Sequence, residues 1–387
     1  MAHTENEKGS LLNIKKKAFT SLFSIIIAMT LVACSDSSGP PQTPDLPDEW
    51  TVIKPGGDTL CSRGTEYAYA VRGGSVNKVV IEFMGGGACW DDFTCSVADA
   101  IFNAAVNTEQ LAQISGRGIY DRENEENPFK DWYHVFIPYC TGDIHWGDNV
   151  VEYGAGDDAF TIHHKGSVNS QAVMDWVYEN FEKPENIFVT GCSAGAYGSI
   201  GWAPYLMDHY RNSQIVQVGD SGSGVITETF FQDSFPNWNA LSQAPAFIPG
   251  LNPENVDLMS IDLSYFYAEI SNYFPAHIVG QYNTKFDNNQ TFYFSAMGGA
   301  GGAAAWSEQM TAMIASAHDQ AENFYSYTTS GEQHCIINSD RFYDVAENGT
   351  RLVDWFSDLS QGISVEQRVS CEGDLCNRDT GAPSVLP

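Results

Sequence analysis

Positive charge is scarce in this chain. Its 387 residues carry 19 Lys and Arg against 49 Asp and Glu, a formal net charge of -30, with no basic cluster beyond the first twenty residues. Phosphate binding needs Lys and Arg to displace counterions, so nucleic acid is excluded as a partner and anionic surfaces are disfavoured. Also missing are any CxxC pair or Cys/His ligand spacing, so no metal is implied, and no cofactor motif calls for a cofactor. No internal repeat stands out. The longest apolar run, Ala18 to Ala33, is too short for a comfortable membrane span. What is present in quantity is core-forming material: hydrophobic residues at 43% and charged residues at 18% specify a folded chain with a sizeable interior.

The short apolar run has another use. Lys15, Lys16 and Lys17 precede it and Leu31-Val32-Ala33-Cys34 closes it, the pattern of a secretory signal ending in a bacterial lipobox. Residues 1–33 are therefore expected to be a signal peptide, with Cys34 as the acylated first residue of the mature chain. Residues 34–50, rich in Pro, Ser and Asp, are expected to form a lipidated tether. The protein is then an exported lipoprotein of the outer membrane or cell surface, touching the membrane only through Cys34; without acylation it is periplasmic or secreted. Cleavage removes four Lys and two Glu, leaving 15 cations against 47 carboxylates, or -32. The acidity belongs to the exported part.

Setting Cys34 aside leaves eight cysteines, an even number, which in an exported chain points to disulfides. Eight cysteines allow 105 pairings. Only Cys89 with Cys95 and Cys371 with Cys376 are expected, from their short loops.

Short runs rich in β-branched residues recur and end at loops: Val79–Met84 before three glycines, Val135–Pro138 before Tyr139-Cys140-Thr141-Gly142, and Ile187–Thr190 before Gly191. Ile215–Val218 before Gly219 and Ala276–Val279 before Gly280 repeat the habit. Helical stretches such as Ser170–Phe181 and Ala196–Tyr210 lie between. Strands alternating with helices imply βαβ units and a mostly parallel sheet, whose functional loops gather at the strands' carboxyl ends.

Gly191-Cys192-Ser193-Ala194-Gly195 is a GxSxG string between such a strand and such a helix. A nucleophile elbow needs small residues around its serine because the turn is cramped, and a helix start so that backbone N–H groups face the reacting oxygen. A hydroxyl is inert without a base, and the base needs an acid to orient it. The expected order after the serine is acid, then histidine. His334, in the late polar loop Gly331-Glu332-Gln333-His334-Cys335, suits the base. Asp287 suits the acid, and Asp220, at the end of the next strand, competes for that role. An oxyanion hole would draw one N–H from Ala194 and another from Gly85-Gly86-Gly87, where glycine admits the closest approach to substrate. A phosphate-binding loop is the rival for those glycines, but no Lys-Ser or Lys-Thr follows them. Trp90, Asp143 and His145 sit on strand-end loops where they would line the alcohol side of a pocket.

Met84-Gly85-Gly86-Gly87-Ala88-Cys89-Trp90, Tyr139-Cys140-Thr141-Gly142-Asp143, the elbow, Phe286-Asp287-Asn288-Asn289-Gln290 and His334-Cys335 occur in order over most of residues 50–357. Together they resemble the pectinacetylesterase and Notum-type carboxylesterase family. The resemblance implies an α/β-hydrolase-like single catalytic domain over 51–387, with a mostly parallel sheet flanked by helices, loop-rich elaborations and disulfides. It implies Ser193, Asp287 and His334 as the triad, with Gly86, Gly87 and Ala194 at the oxyanion. Asp220 moves from the triad to the neighbourhood of the pocket. The implied reaction is hydrolysis of O-acyl esters, with O-acetyl groups on carbohydrate expected first and a lipid or protein O-acyl group as the alternative. Relatives often carry Trp immediately before the cysteine of the glycine string; here Ala88 stands there and Trp90 follows.

Two other classes compete. Gly219-Asp220-Ser221-Gly222 imitates the serine string of trypsin-like proteases, but that all-β fold does not account for the parallel-sheet pattern. A catalytically inert glycan-binding lipoprotein could stack sugars on Trp90, Trp132, Trp146 and Trp202.

Overall fold

The computed structural model describes residues 42–376, with residues 99, 115, 258 and 261 excepted. Cys34, the signal segment and the first part of the tether lie outside the described residues. Nine strands form one sheet, in the order Thr51–Ile53, Tyr69–Arg72, Tyr133–Ile137, Lys78–Phe83, Asn186–Cys192, Gln214–Asp220, Ile278–Thr284, Phe324–Thr329 and Arg368–Ser370. The first two pairings are antiparallel and all the rest parallel.

The central strands read as continuous apolar runs because both faces of the sheet are covered. Successive side chains point to opposite faces, so Val79, Ile81, Ile187 and Val189 enter one core with Val173, Met174 and Val177 of the helix Gly166–Asn180. Val80, Phe188, Val216 and Val218 enter the other, with Trp355, Phe356 and Leu359 of the helix Leu352–Ser360. Each aliphatic side chain so buried contributes about 1.5–3 kcal/mol. The helix Ala194–His209 is buried nearly all round, from Ala194 and Gly195 to Leu206 and Met207. That burial anchors its amino end beneath the sheet's carboxyl edge.

Three strands run further than the sequence suggests, because Gly191, Gly219 and Gly280 lie within them rather than after them. A glycine inside a central strand keeps its ladder bonds and admits a neighbour's backbone: a Cβ on Gly280 would lie 2.7 Å from Tyr325 O. Described residues of the expected tether differ more. Leu46 packs on the core, Gly73 N donates to Pro47 O at 2.7 Å, and Tyr133 Oη donates to Thr43 Oγ1 at 3.2 Å. Residues 42–50 are thus bound to the domain, through Gly73 just after the second strand of that order and Tyr133 on the third.

Four disulfides close the fold. Cys89–Cys95 and Cys371–Cys376 match the short-loop expectation; Cys61–Cys140 and Cys192–Cys335 span 79 and 143 positions. Among the described residues no helix is long and apolar enough to cross a membrane.

Candidate active site

The strand Asn186–Cys192 runs straight into the helix Ala194–His209, and the residue between them, Ser193, takes φ 57°, ψ -121°. That conformation is strained for a side-chain-bearing residue, and strain of this kind persists only where the surroundings hold it. They do so here by close packing. A Cβ on Gly195 would lie 1.9 Å from Phe83 O, and one on Gly85 would lie 2.5 Å from Cys192 O. The small residues of the two strings therefore let the glycine loop lie directly against the elbow. Ser193 N donates to Asp220 O at 2.8 Å, which fixes the turn from the next strand.

Asp287 caps the helix Asn288–Ala296, accepting from Gln290 N at 2.9 Å through Oδ1 and from Gln290 Nε2 at 3.1 Å through Oδ2. Its carboxylate is fully buried, and His334 Nδ1 donates to Oδ2 at 2.8 Å. The two loops are fastened together, Phe286 N to Gly331 O at 2.9 Å and Asn288 N to Glu332 O at 3.1 Å. With Nδ1 engaged, Nε2 is the ring nitrogen free to work on a substrate, and the His334 side chain keeps 15% exposure. Burial opposes charge on this ring, but the charge and hydrogen bond of Asp287, with Asp220 behind, outweigh it and hold the pKa above the ordinary value.

Ser193, Ala194, Gly87 and His334 line one cavity of about 590 Å³, solvent at its mouth included. Trp90, Val225, Ile226, Phe230, Met297 and Trp306 give it an apolar wall. Gly86 stands one residue behind this lining, where its carbonyl accepts from Asn103 N at 2.9 Å. A second apolar space, lined by Trp146, Trp202, Phe235 and Phe266, shares Ile144, Tyr197 and Ile226 with the first.

Three residues expected beside the substrate are placed elsewhere. Asp143 is fully buried, accepting from Thr141 Oγ1 at 2.6 Å and Gly166 N at 2.8 Å, and burial pushes its carboxyl up to about 6 against those bonds. His145 is buried too; its Nε2 donates to Met84 O at 2.9 Å, and burial holds the ring down to about 4. It therefore supports the glycine loop from beneath as a neutral donor. Asp220 is fully buried; its Oδ2 accepts from Ile336 N and Ile337 N at 2.7 and 3.0 Å and its Oδ1 from Ser221 Oγ at 3.0 Å, so it stands behind the cavity lining rather than in it. Trp90 alone of that group is on the cavity wall. Trp132 is buried and lines neither cavity, whereas Trp202 is buried against the second apolar space.

Gln290 was not singled out from sequence, yet its side chain holds Asp287 and Asn283 and accepts from Ser223 N. Its place one helical turn after the acid was the available signal. Among the described residues, the two clusters of grouped Cys and His side chains are built on Cys89–Cys95 and Cys192–Cys335, whose sulfurs are bonded to each other and are not thiolates.

A mostly parallel sheet, a serine at a strand-to-helix elbow and an acid–histidine pair on later loops define an α/β-hydrolase-like protein. The fold is shared with the Wnt deacylase Notum from Drosophila, with a TM-score of 0.62 and 15% identity over 87% of this chain and 99% of that one. The chain belongs to the pectinacetylesterase family, whose model matches residues 46–327. It is 31% identical over 183 residues to palmitoleoyl-protein carboxylesterase notum2 of Xenopus laevis, covering 45% of this chain and 35% of that one. It is 27% identical over 146 residues to pectin acetylesterase 5 of Arabidopsis thaliana, covering 37% of this chain and 33% of the relative. The chain thus matches about a third of the length of these curated relatives.

Proposed function

We propose that this protein is a serine carboxylic-ester hydrolase acting on O-acyl, chiefly O-acetyl, groups of a carbohydrate. One observation carries the reading: His334, held by the buried Asp287, lines the same cavity as the strained Ser193. His334 Nε2 takes the proton of Ser193 Oγ as that oxygen bonds to the ester carbonyl carbon. The N–H groups of Ala194 and of Gly86 or Gly87 meet the negative oxygen that develops. The imidazolium returns the proton to the leaving alcohol, leaving an acyl-serine. Water, deprotonated by the same imidazole, then releases the acid and restores the serine.

A net charge of -32 after cleavage of residues 1–33 favours a neutral acetylated glycan over a de-esterified polyanion. A second reading, deacylation of a lipid or protein O-acyl group by the same chemistry, draws support from the apolar cavity wall of Trp90, Phe230, Ile226 and Met297. Acyl esters of rising chain length, run beside acetylated polysaccharides, decide between the two. A fluorophosphonate probe tests the class itself, because it labels an activated serine. Labelling at Ser193 is expected, and an unlabelled, inactive protein would favour the inert glycan binder.

Export and acylation at Cys34 belong to the same proposal, supported by four disulfides that need an oxidising compartment. Cys34→Ser is expected to move the protein from the membrane fraction to the soluble one; unchanged fractionation overturns the lipid anchor.

A further inference from the structure

Asp220 takes no part in the proposed triad, yet the chain on both sides of the site converges on it. Its main-chain carbonyl accepts from Ser193 N at 2.8 Å. Its Oδ2 accepts from Ile336 N at 2.7 Å and Ile337 N at 3.0 Å, two and three residues beyond His334. Its Oδ1 accepts from Ser221 Oγ at 3.0 Å, and that hydroxyl accepts in turn from Cys335 N at 3.0 Å. Three successive amides after His334 are thus gripped by one acid and its neighbour. The grip is needed because three non-glycine residues here hold left-handed φ values: Ser193 at 57°, Ser221 at 60° and Cys335 at 62°. Each stores strain that only surrounding bonds can maintain.

We propose that Asp220 is a positioning residue of the hydrolysis, its buried carboxylate holding the His334 loop while its carbonyl holds the nucleophile turn, so that one residue sets base against nucleophile. The inference rests on the proposed roles of Ser193 and His334. It differs from the competing-acid reading: both carboxylate oxygens are committed to Ile336, Ile337 and Ser221, and Asp287 holds Nδ1 of the ring. A buried carboxylate bonded by several amides is costly to remove, because the amides lose their partner.

Charge adds a second consequence. The titratable groups that bear on His334 are Asp287 and Asp220; those that bear on Asp220 are His334, Tyr120 and Tyr282, with Arg341 beyond Tyr282. Burial pushes the Asp220 carboxyl up to about 6, against the bonds from Ile337 and Ile336 and the charge of His334. Where it is ionised, it favours the imidazolium. Its loss should therefore lower the pKa of His334.

Two variants separate scaffold from charge. Asp220→Asn keeps an oxygen for the amides of Ile336 and Ile337 but no charge; Asp220→Ala loses both. With p-nitrophenyl acetate, Asp220→Asn is expected to shift the acid limb of kcat/KM to lower pH and to lower kcat about tenfold, with KM within about twofold. Asp220→Ala should lower kcat about a hundredfold or fail to fold, and recovery of rate from Ala to Asn marks a positioning role. Wild-type kcat and an unmoved acid limb in folded Asp220→Asn overturn the proposal. If the wild type neither turns over an ester nor takes a fluorophosphonate on Ser193, it is the esterase reading that fails. The His334 ring titration by NMR still judges Asp220 in that case: a lowered pKa in Asp220→Asn supports the placement and an unchanged one refutes it.

Discussion

Cys192 and Cys335 are bonded to each other, so the residue before Ser193 and the residue after His334 share a covalent link across 143 positions of sequence. The bridge ties the strand-to-helix elbow to the late loop at the two points where the proposed chemistry needs them registered.

That bridge can be weighed against Cys61–Cys140, which closes 79 positions outside the cavity lining. Loop-closure entropy alone gives both a stabilising effect of about 4–5 kcal/mol, because the dependence on length is logarithmic. Cys192→Ala/Cys335→Ala and Cys61→Ala/Cys140→Ala should therefore lower the thermal midpoint by similar amounts. Only the first should lower kcat, by about tenfold or more, measured well below both midpoints. Equal kcat in the two double variants would deny the bridge any part in registering base and nucleophile.

Ser193→Ala should lose ester hydrolysis by on the order of 10⁴-fold or more, as removal of a nucleophile does in triad enzymes. Its stability should barely move, since Ala is strained at φ 57° as Ser is. Ser193→Gly should be the more stable of the two. Relief of about 1–3 kcal/mol of strain exceeds the roughly 0.5–1 kcal/mol of extra backbone entropy that glycine loses on folding. Chemical denaturation midpoints decide this, and a Gly variant weaker than the Ala variant would contradict strain at the elbow.

The local order of this domain was legible because short apolar runs and a small-residue string carry their own geometry. Val79–Met84 and Ile187–Thr190 read as strands, and Gly191–Gly195 as a sharp turn before a helix, with only neighbours to consult. Long-range pairing has no such local mark: nothing in the sequence near Cys192 names Cys335 among seven other partners. Burial has no local mark either. Asp143 and His145 are polar and sit at a strand end, which reads as pocket, but Thr141, Gly166 and Met84 satisfy them inside the protein. Gly280 looked like a terminator because a lone strand would end there, whereas paired strands on both sides keep it in the ladder. The segment 42–50 reads as a linker from its prolines, and its bonds to Gly73 and Tyr133 become visible only once the sheet brings those distant residues together.

Acid should test the buried imidazoles. Burial holds both His145 and His164 down to about 4, in part against bonds to the Met84 and Thr141 carbonyls. Between the unfolded value near 6.5 and about 4, the unfolded chain binds protons that the folded one refuses, so stability falls as pH falls through that window, by about 3 kcal/mol per ring. Asp143 acts in the opposite sense. With its folded pKa raised to about 6, its contribution is fully present below the unfolded value near 3.8 and is lost as pH rises through 6. His164→Gln should therefore flatten the decline of the thermal midpoint between pH 6.5 and 4, and Asp143→Asn should steepen it. Parallel curves for wild type and both variants would mean that neither group is held where its burial places it.

Activity should respond to acid through a different group. As the proposed base, His334 can act only when neutral, and its pKa is held above 6.5 because the charge and hydrogen bond of Asp287 outweigh the cost of burying a charged ring. The rate should therefore begin to fall at a pH above the ordinary histidine value as the medium is acidified. Asp287→Asn removes that charge, so the acid limb should move to lower pH. The rate on the plateau should drop by on the order of 10⁴, because an amide at this position no longer enforces the tautomer with its proton on Nδ1. Stability should follow the same pair with the sign reversed. A raised imidazole pKa supports the fold below pH 6.5, and that support is lost as pH rises through the folded value, so Asp287→Asn should cost more stability at pH 5 than at pH 9. A variant whose plateau falls while its acid limb stays in place would deny that the charge of Asp287 sets the pKa of His334.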